Sequence, residues 1–254
     1  MPSMKKHIPN LITLGNLFCG TIATIFAVQS EFKSAALFVV LGIVLDFFDG
    51  FAARLLKVSG ELGKQLDSLA DMVTSGVVPG IIMYHLLNSS EIIEMKSSTN
   101  NEAIWELISV DTGFIKFLGL LLTLGACYRL AKFNIDTRQS DSFIGLPTPA
   151  MSLFIISLPL IQEYTTFEFI QHLISNYYFL IAITLLLTYL MNAELPLFSL
   201  KFKNYNFKNN VMKYFFLIAS LILLLTLKYI AIPLVILLYV ALSMISNYGK
   251  KTTV

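Results

Sequence analysis

Charge is scarce in this sequence. Only 13% of its 254 residues are Asp, Glu, Lys or Arg, against 56% apolar residues, which excludes a soluble domain of ordinary composition and makes lipid the solvent of the folded chain. Cysteine is nearly absent as well. Cys19 and Cys127 each sit inside an apolar run, so neither a disulfide framework nor a cysteine-spaced metal site is expected, and both read as packing residues. A net charge of +2 is too small for a nucleic-acid-binding surface. The histidines, His7, His85 and His172, are scattered and read as structural. No Pro- or Gly-rich linker and no internal repeat divides the chain, so a single membrane domain over 1–254 is expected.

What is present is apolar length. A helix needs about 20 mostly apolar residues to cross roughly 30 Å of hydrocarbon, and about eight such runs occur. They lie near 11–28, 35–56, 63–87, 114–132, 147–163, 176–196, 214–229 and 230–247, which predicts an all-α fold, a polytopic membrane helix bundle. Only Lys228 and its neighbours separate the last two runs, so one long tilted helix or a re-entrant pair gives the same pattern. No cleavable leader is expected, because the run after Met1 to Asn10 lacks a small-residue cleavage pattern and reads as the first span. With the amino terminus in the cytoplasm, every basic residue except Lys33, Lys96, Lys116 and Lys228 falls in a cytoplasmic segment. The positive-inside rule then predicts a multi-pass inner-membrane protein with both termini in the cytoplasm and an even number of spans. Residues 88–113 become an external, mildly acidic loop, read as a solvated connector with a short surface helix under Trp105.

Acids stand where lipid disfavours them. The second run carries Asp46 and Asp49, three apart, and the third carries Asp67 and Asp71, four apart. Each pair therefore shares one helix face, and the two faces can meet across an antiparallel hairpin. Gly50, Ala53, Gly63 and Ala70 lie near those faces and let the backbones approach. With Arg54 at the inner boundary, Asp49 lies roughly 7 Å and Asp46 roughly 12 Å inside it, so the cluster is shallow. An ionised Asp at mid-span costs at least about 2.5 kcal/mol, and four that repel one another cost more. Arg54 and Lys64 can neutralise two of them. Closely spaced oxygen ligands are also what Mg²⁺, Mn²⁺ or Ca²⁺ prefer. Intramembrane carboxylates otherwise mark proton or cation pathways, which keeps a transporter as an alternative; against it, the acids sit at one edge of the bilayer and the halves show no repeat symmetry.

The run Asp46-x2-Asp49-Gly50-x2-Ala53-Arg54-x8-Gly63-x3-Asp67-x3-Asp71 resembles the signature of the CDP-alcohol phosphatidyltransferases, with every fixed position filled. Eight fixed residues at fixed spacing in helices are far more specific than a short loop motif. Three further stretches are similar to those of integral-membrane bacterial phosphatidylserine synthases: Ile8 to Asn16, Tyr128 to Asn134, and Phe143 to Ala150. Lys132 stands where Arg is expected and Phe51 where a basic residue is frequent. The similarity covers about the first 160 residues, so a catalytic core near 8–160 and additional spans over about 176–247 are expected.

The resemblance implies transfer of a phosphatidyl group from CDP-diacylglycerol to L-serine with release of CMP, in a homodimer among membrane lipids. It implies two divalent cations, Mn²⁺ or Mg²⁺ with Ca²⁺ admissible at one site, held by Asp46, Asp49, Asp67 and Asp71, with Asp71 also the general base. It places the CDP moiety against Asn10, Thr13, Asn16, Gly50, Ala53, Arg54, Gly63 and Lys64. It places serine against Arg129, Lys132, Phe143, Gly145, Pro147 and Thr148. Read from residues alone, Asn10 can equally cap the first helix, and Pro147 and Pro149 can mark entry into the fifth. A sister enzyme taking glycerol 3-phosphate or an inositol phosphate is the nearest alternative. Such acceptors need a denser basic pocket than the few extra basic residues here supply.

Overall fold

Residues 7–58, 60–90, 113–136, 143–198 and 210–251 are described by the structure, a computed structural model. Trp105, most of the expected external loop, and Lys5, Lys6, Lys96, Arg138, Lys201, Lys203 and Lys208 lie outside them. The described elements are helices, apart from one two-residue strand pair.

Helix α1, His7–Val28, and α2, Phe32–Leu56, form a tight hairpin. Each ends in the same way. Ser30, at φ 61°, lets its own N–H reach the Ala27 carbonyl and that of Glu31 reach Phe26. Lys57, at φ 53°, does the same for Arg54, with Val58 reaching Ala53. Both satisfy carbonyls that a helix end leaves orphaned.

Helix α3, Glu61–Asn88, changes pitch in its middle: Met72–Val77 is a π turn. Pro79 lies two residues past its end, and a proline lacks the N–H of an α-helical bond and crowds the carbonyl four residues back, here that of Ser75 in the turn. The wider turn accommodates that crowding, and Thr123 donates its hydroxyl to the Gly76 carbonyl at 2.9 Å. Helix α4, Gly113–Ile135, starts through a 3₁₀ turn at Lys116–Leu120. Helix α5, Thr148–Tyr164, is the bundle's central rod, burying Met151, Phe154, Ile155, Ile156, Leu158 and Ile161. Helices α6, Glu168–Ser175, and α7, Tyr177–Asn192, meet at 71°. The Asn176 side chain caps α7 by accepting from the Phe179 N–H at 3.1 Å. Helices α8, Val211–Leu227, and α9, Ala231–Lys251, complete the chain.

Contacts at the two ends of the bundle give the helix directions. At one end Ser30 meets His85 at 3.3 Å, Lys33 pairs with Glu163 at 2.6 Å, and the Tyr84 and Phe117 rings lie 5.4 Å apart. The Tyr164 and Tyr229 rings meet in a tilted arrangement, 5.2 Å apart, at that same end. At the other end Asn134 donates to Ser68 at 2.9 Å, and β1, Phe143–Ile144, pairs antiparallel with β2, Pro196–Leu197. Successive long helices therefore alternate in direction.

All the expected apolar runs are helical, yet five helices are long and apolar enough to cross a membrane, or six if the bent α6–α7 pair is one span. The expected count of about eight differs because α5 and α7, at 17 and 16 residues, are short, and because Val211–Ser246 reads as one 36-residue stretch. That stretch is not one rod. Lys228, at φ 49° and ψ −116°, separates α8 from α9, and the Phe216 and Tyr239 rings lie 5.5 Å apart. A straight helix would hold them about 34 Å apart. The two segments fold back on each other, which removes the long-tilted-helix alternative. Phe198 packs against both rings, and its carbonyl accepts from the Tyr239 hydroxyl at 2.8 Å.

The surface is apolar as well as the core. Leu11, Phe18, Phe47, Leu124 and Leu225 are exposed, and in a multi-pass membrane protein such side chains face lipid tails rather than water.

Candidate active site

The acids meet where α1, α2 and α3 converge. One carboxylate oxygen from each of Asp46, Asp49 and Asp67 lies within 4.8 Å of the other two. Asp49 is buried and accepts from the Thr13 hydroxyl at 2.5 Å. Asp71, one turn beyond Asp67, lines the same cavity as Asp46 and Asp67, and its Oδ1 accepts from Asn16 Nδ2 at 3.3 Å. Asn16 is itself fixed, since its Oδ1 accepts from Thr74 on the π turn at 2.8 Å.

Glycines permit this convergence. A Cβ at Gly42 would stand 2.7 Å from Thr74 Cγ2 and 2.8 Å from Asn16 Oδ1, and one at Gly20 would stand 3.0 Å from Thr74 Cα. Any larger residue at either position would push the helices apart.

Among the described residues no basic side chain forms an ion pair with the cluster. Among the described residues the ion pairs are Lys33–Glu163 and Lys132–Glu194; Arg54 pairs with no acid, and Lys64 Nζ donates to the Asn134 carbonyl. The expectation that Arg54 and Lys64 neutralise two acids is thereby corrected: Lys64 spans to α4 instead. Three hard oxygen donors close enough to share one ion, and without a basic partner among the described residues, fit a divalent cation of the Mg²⁺ or Mn²⁺ type.

Two cavities flank the cluster and share Asp67. One, of about 250 Å³, is lined by Pro9, Asn10, Thr13, Asp49, Gly50, Ala53, Gly63 and Lys64 among others. The other, of about 260 Å³, is lined by Asp46, Asp71, Ser68, Arg129, Phe133, Pro147 and Thr148 among others. The carboxylates form the wall between them. A sequence model described as CDP-alcohol phosphatidyltransferase matches residues 6–190, which takes in every side chain of both cavities.

The chain belongs to the CDP-alcohol phosphatidyltransferase family. It is 36% identical over 157 residues to the CDP-diacylglycerol–serine O-phosphatidyltransferase of Bacillus subtilis, covering 60% of this chain and 75% of that one. The namesake from Helicobacter pylori is 34% identical over 157 residues, 61% of this chain and 58% of its own length. Archaetidylserine synthase of Methanothermobacter thermautotrophicus is 27% identical over 162 residues, 62% and 60% of the two chains. The match thus spans under two thirds of the latter two proteins. The family is divalent-metal dependent.

The residues expected at the family's donor subsite do not all line one space. Asn10, Thr13, Gly50, Ala53, Gly63 and Lys64 surround the first cavity, and Gly50 leaves open space where a Cβ would be. Asn16 and Arg54 are outside its wall. Asn16 is fully buried and spent on Asp71 and Thr74.

The expected acceptor residues divide as well. Arg129, Pro147 and Thr148 line the second cavity. Lys132 does not; it pairs with Glu194 at 3.5 Å beside a separate small recess. Gly145 has a backbone role. Its φ is +73°, and a Cβ there would lie 2.5 Å from the Met191 carbonyl and 2.7 Å from Arg129 Nη1. The backbone of Phe143 lies in β1, and its side chain is outside the described ones.

Sequence reasoning missed Thr74, Met191 and Ser68. Thr74 had a signal, being three residues beyond Asp71 and seven beyond Asp67, hence near the acidic face. The Met191 carbonyl had none.

Proposed function

We propose that this chain is a phosphatidylserine synthase, which transfers the phosphatidyl group of CDP-diacylglycerol to the hydroxyl of L-serine and releases CMP. The observation that carries the reading is the shared wall: one carboxylate cluster separates two cavities of different lining, as a transfer between two substrates requires. The relatives' names supply the substrates.

The cavity beside Asn10, Thr13, Gly50, Ala53, Gly63 and Lys64 takes the CDP moiety, with Gly50 admitting the nucleotide closely and Lys64 supplying positive charge near its phosphates. Asp46, Asp49 and Asp67, with Asp71 completing the site, would hold two divalent cations, Mg²⁺ or Mn²⁺, with Ca²⁺ admissible at one of them. Bound there, such ions supply neutralisation of the diphosphate and of the departing CMP. Thr13 orients Asp49. Asp71 accepts the proton of the serine hydroxyl; the serine oxygen bonds to the phosphorus that carries the diacylglycerol, and the bond from that phosphorus to the CMP oxygen breaks. Arg129, with Thr148 and Pro147, receives the serine carboxylate. The second cavity offers this one guanidinium and several acids, which suits a zwitterion better than a phosphate-bearing acceptor.

Alternating helix directions support eight crossings with both termini on the face that bears the acids. Arg54, Lys57, Lys64, Arg129 and Lys132 lie toward that face, and Lys33, Lys116 and Lys228 toward the other, so the positive-inside rule assigns the active site to the cytoplasm. Donor acyl chains then stay in the inner leaflet while a water-soluble acceptor reaches the diphosphate. The chain acts as one domain, 1–254, in a homodimer.

The experiment is CMP release by purified protein in lipid–detergent micelles with CDP-diacylglycerol and Mn²⁺ or Mg²⁺, comparing L-serine, glycerol 3-phosphate and inositol phosphate. Serine-dependent release that Asp71→Asn abolishes is the expected result. Release with another acceptor moves the chain to a sister enzyme. No release with any of them removes the transferase reading.

A further inference from the structure

Asn16 and Thr74 are both fully buried, touch neither cavity, and yet end on a carboxylate that lines one. A primary amide presents a donor end and an acceptor end that packing alone hardly distinguishes. Here the two ends meet different partners. Asp71, when ionised, can only accept, which calls for Nδ2. Thr74 donates its hydroxyl to Oδ1 at 2.8 Å, and the Asn16 backbone carbonyl lies 3.3 Å from the same hydroxyl. Remove that hydroxyl and Oδ1 becomes a buried acceptor with nothing to hold it, so the amide loses its reason to keep one orientation. The reversed amide would set Oδ1 against the carboxylate.

The surroundings are built for this contact. Gly20 and Gly42 are the positions where a Cβ would strike Thr74 or Asn16, and Thr74 sits on the π turn, where the helix is wider than an α-helix.

We propose that Thr74 is a positioning residue for the transfer reaction: its hydroxyl fixes the Asn16 amide, and the amide fixes the Asp71 carboxylate in the orientation that receives the acceptor's proton. The inference rests on Asp71 acting as the base of the proposed reaction. A misaligned base slows the chemical step far more than it alters how either substrate is held, since Asp46, Asp49 and Asp67 still line the metal site.

The test is steady-state kinetics of Thr74→Val, nearly isosteric but without the hydroxyl, beside Thr74→Ser, which keeps it, with Asp71→Asn as reference. Thr74→Val is expected to lower kcat about tenfold with both KM values within about twofold, and Thr74→Ser to recover most of kcat. Monodisperse elution and unchanged CDP-diacylglycerol binding certify that each variant is folded. An inactive Asp71→Asn beside a Thr74→Val of wild-type kcat overturns the positioning role and leaves the base in place. A Thr74→Ser as slow as Thr74→Val, or a loss carried by KM, makes Thr74 a packing residue and also overturns it. An active Asp71→Asn removes the base assignment itself.

Discussion

Arg129 Nη1 donates to two backbone carbonyls at once, Ile144 at 2.9 Å and Met191 at 2.6 Å. One end of the guanidinium thus joins β1 to the end of α7, while the residue also lines the second cavity. Charged donors to carbonyls are worth more than neutral ones, about 1.5–3 kcal/mol each. Replacing Arg129 by Ala should raise the KM for serine at least about tenfold while the KM for CDP-diacylglycerol stays within about twofold. A serine KM near wild type would remove Arg129 from the acceptor subsite.

Gly145 should tolerate no side chain. Ala at a φ of +73° costs about 1–2 kcal/mol in backbone strain alone, and the added Cβ would also press on the Met191 carbonyl and Arg129. Gly145→Ala is therefore expected to lose at least that much stability and to weaken serine use more than donor use. Thermal unfolding in detergent, together with separate titrations of the two substrates, checks both.

Chelation should abolish turnover, because no basic side chain among the described residues forms an ion pair with the acidic triad. Treatment with EDTA is expected to stop CMP release, and excess Mg²⁺ or Mn²⁺ to restore it. Asn at Asp46, Asp49 or Asp67 should each cost about 10³-fold or more in kcat. Full activity in EDTA, or in any one of these variants, would contradict the metal assignment.

Sidedness is open to direct labelling. In a background with Cys19 and Cys127 replaced by Ser, a membrane-impermeant thiol reagent applied to intact spheroplasts should label Lys228→Cys and spare Lys57→Cys. Opening the membrane should expose Lys57→Cys. Labelling of both from one side would refute the placement of Lys57 and Lys228 on opposite faces of the membrane.

The acids were legible because a carboxylate in an apolar helix has no ordinary packing role, and the spacing 46, 49, 67, 71 leaves two faces only one way to meet. Helix existence was legible for the same kind of reason, since apolar length admits few alternatives. The positions of the breaks near Asn176 and Lys228 were legible too, but not their geometry: the 71° bend between α6 and α7 and the reversal between α8 and α9 depend on packing against other helices. Asn16 read as a nucleotide contact because the expectation followed the family stretch around it. Its true neighbours, Asp71 and Thr74, lie more than fifty positions away. The strand pair was invisible, since two residues of strand carry no period and Ile144 finds Pro196 only after α5, α6 and α7 have been traversed.

The β1–β2 pair gives the chain's last third a claim on its chemistry. Gly145 donates its N–H to the Leu195 carbonyl at 2.8 Å and Leu146 to that of Leu190 at 2.9 Å; Phe198, directly after β2, is tied to α9 through Tyr239 and packs on α8. A chain cut after residue 192 would keep all four acids and the whole family signature, yet it would lose the strand against which Phe143 and Ile144 are seated. Substitutions in β2, or in the helices that hold it, are therefore expected to alter how the 143–148 loop sits without touching the acidic cluster.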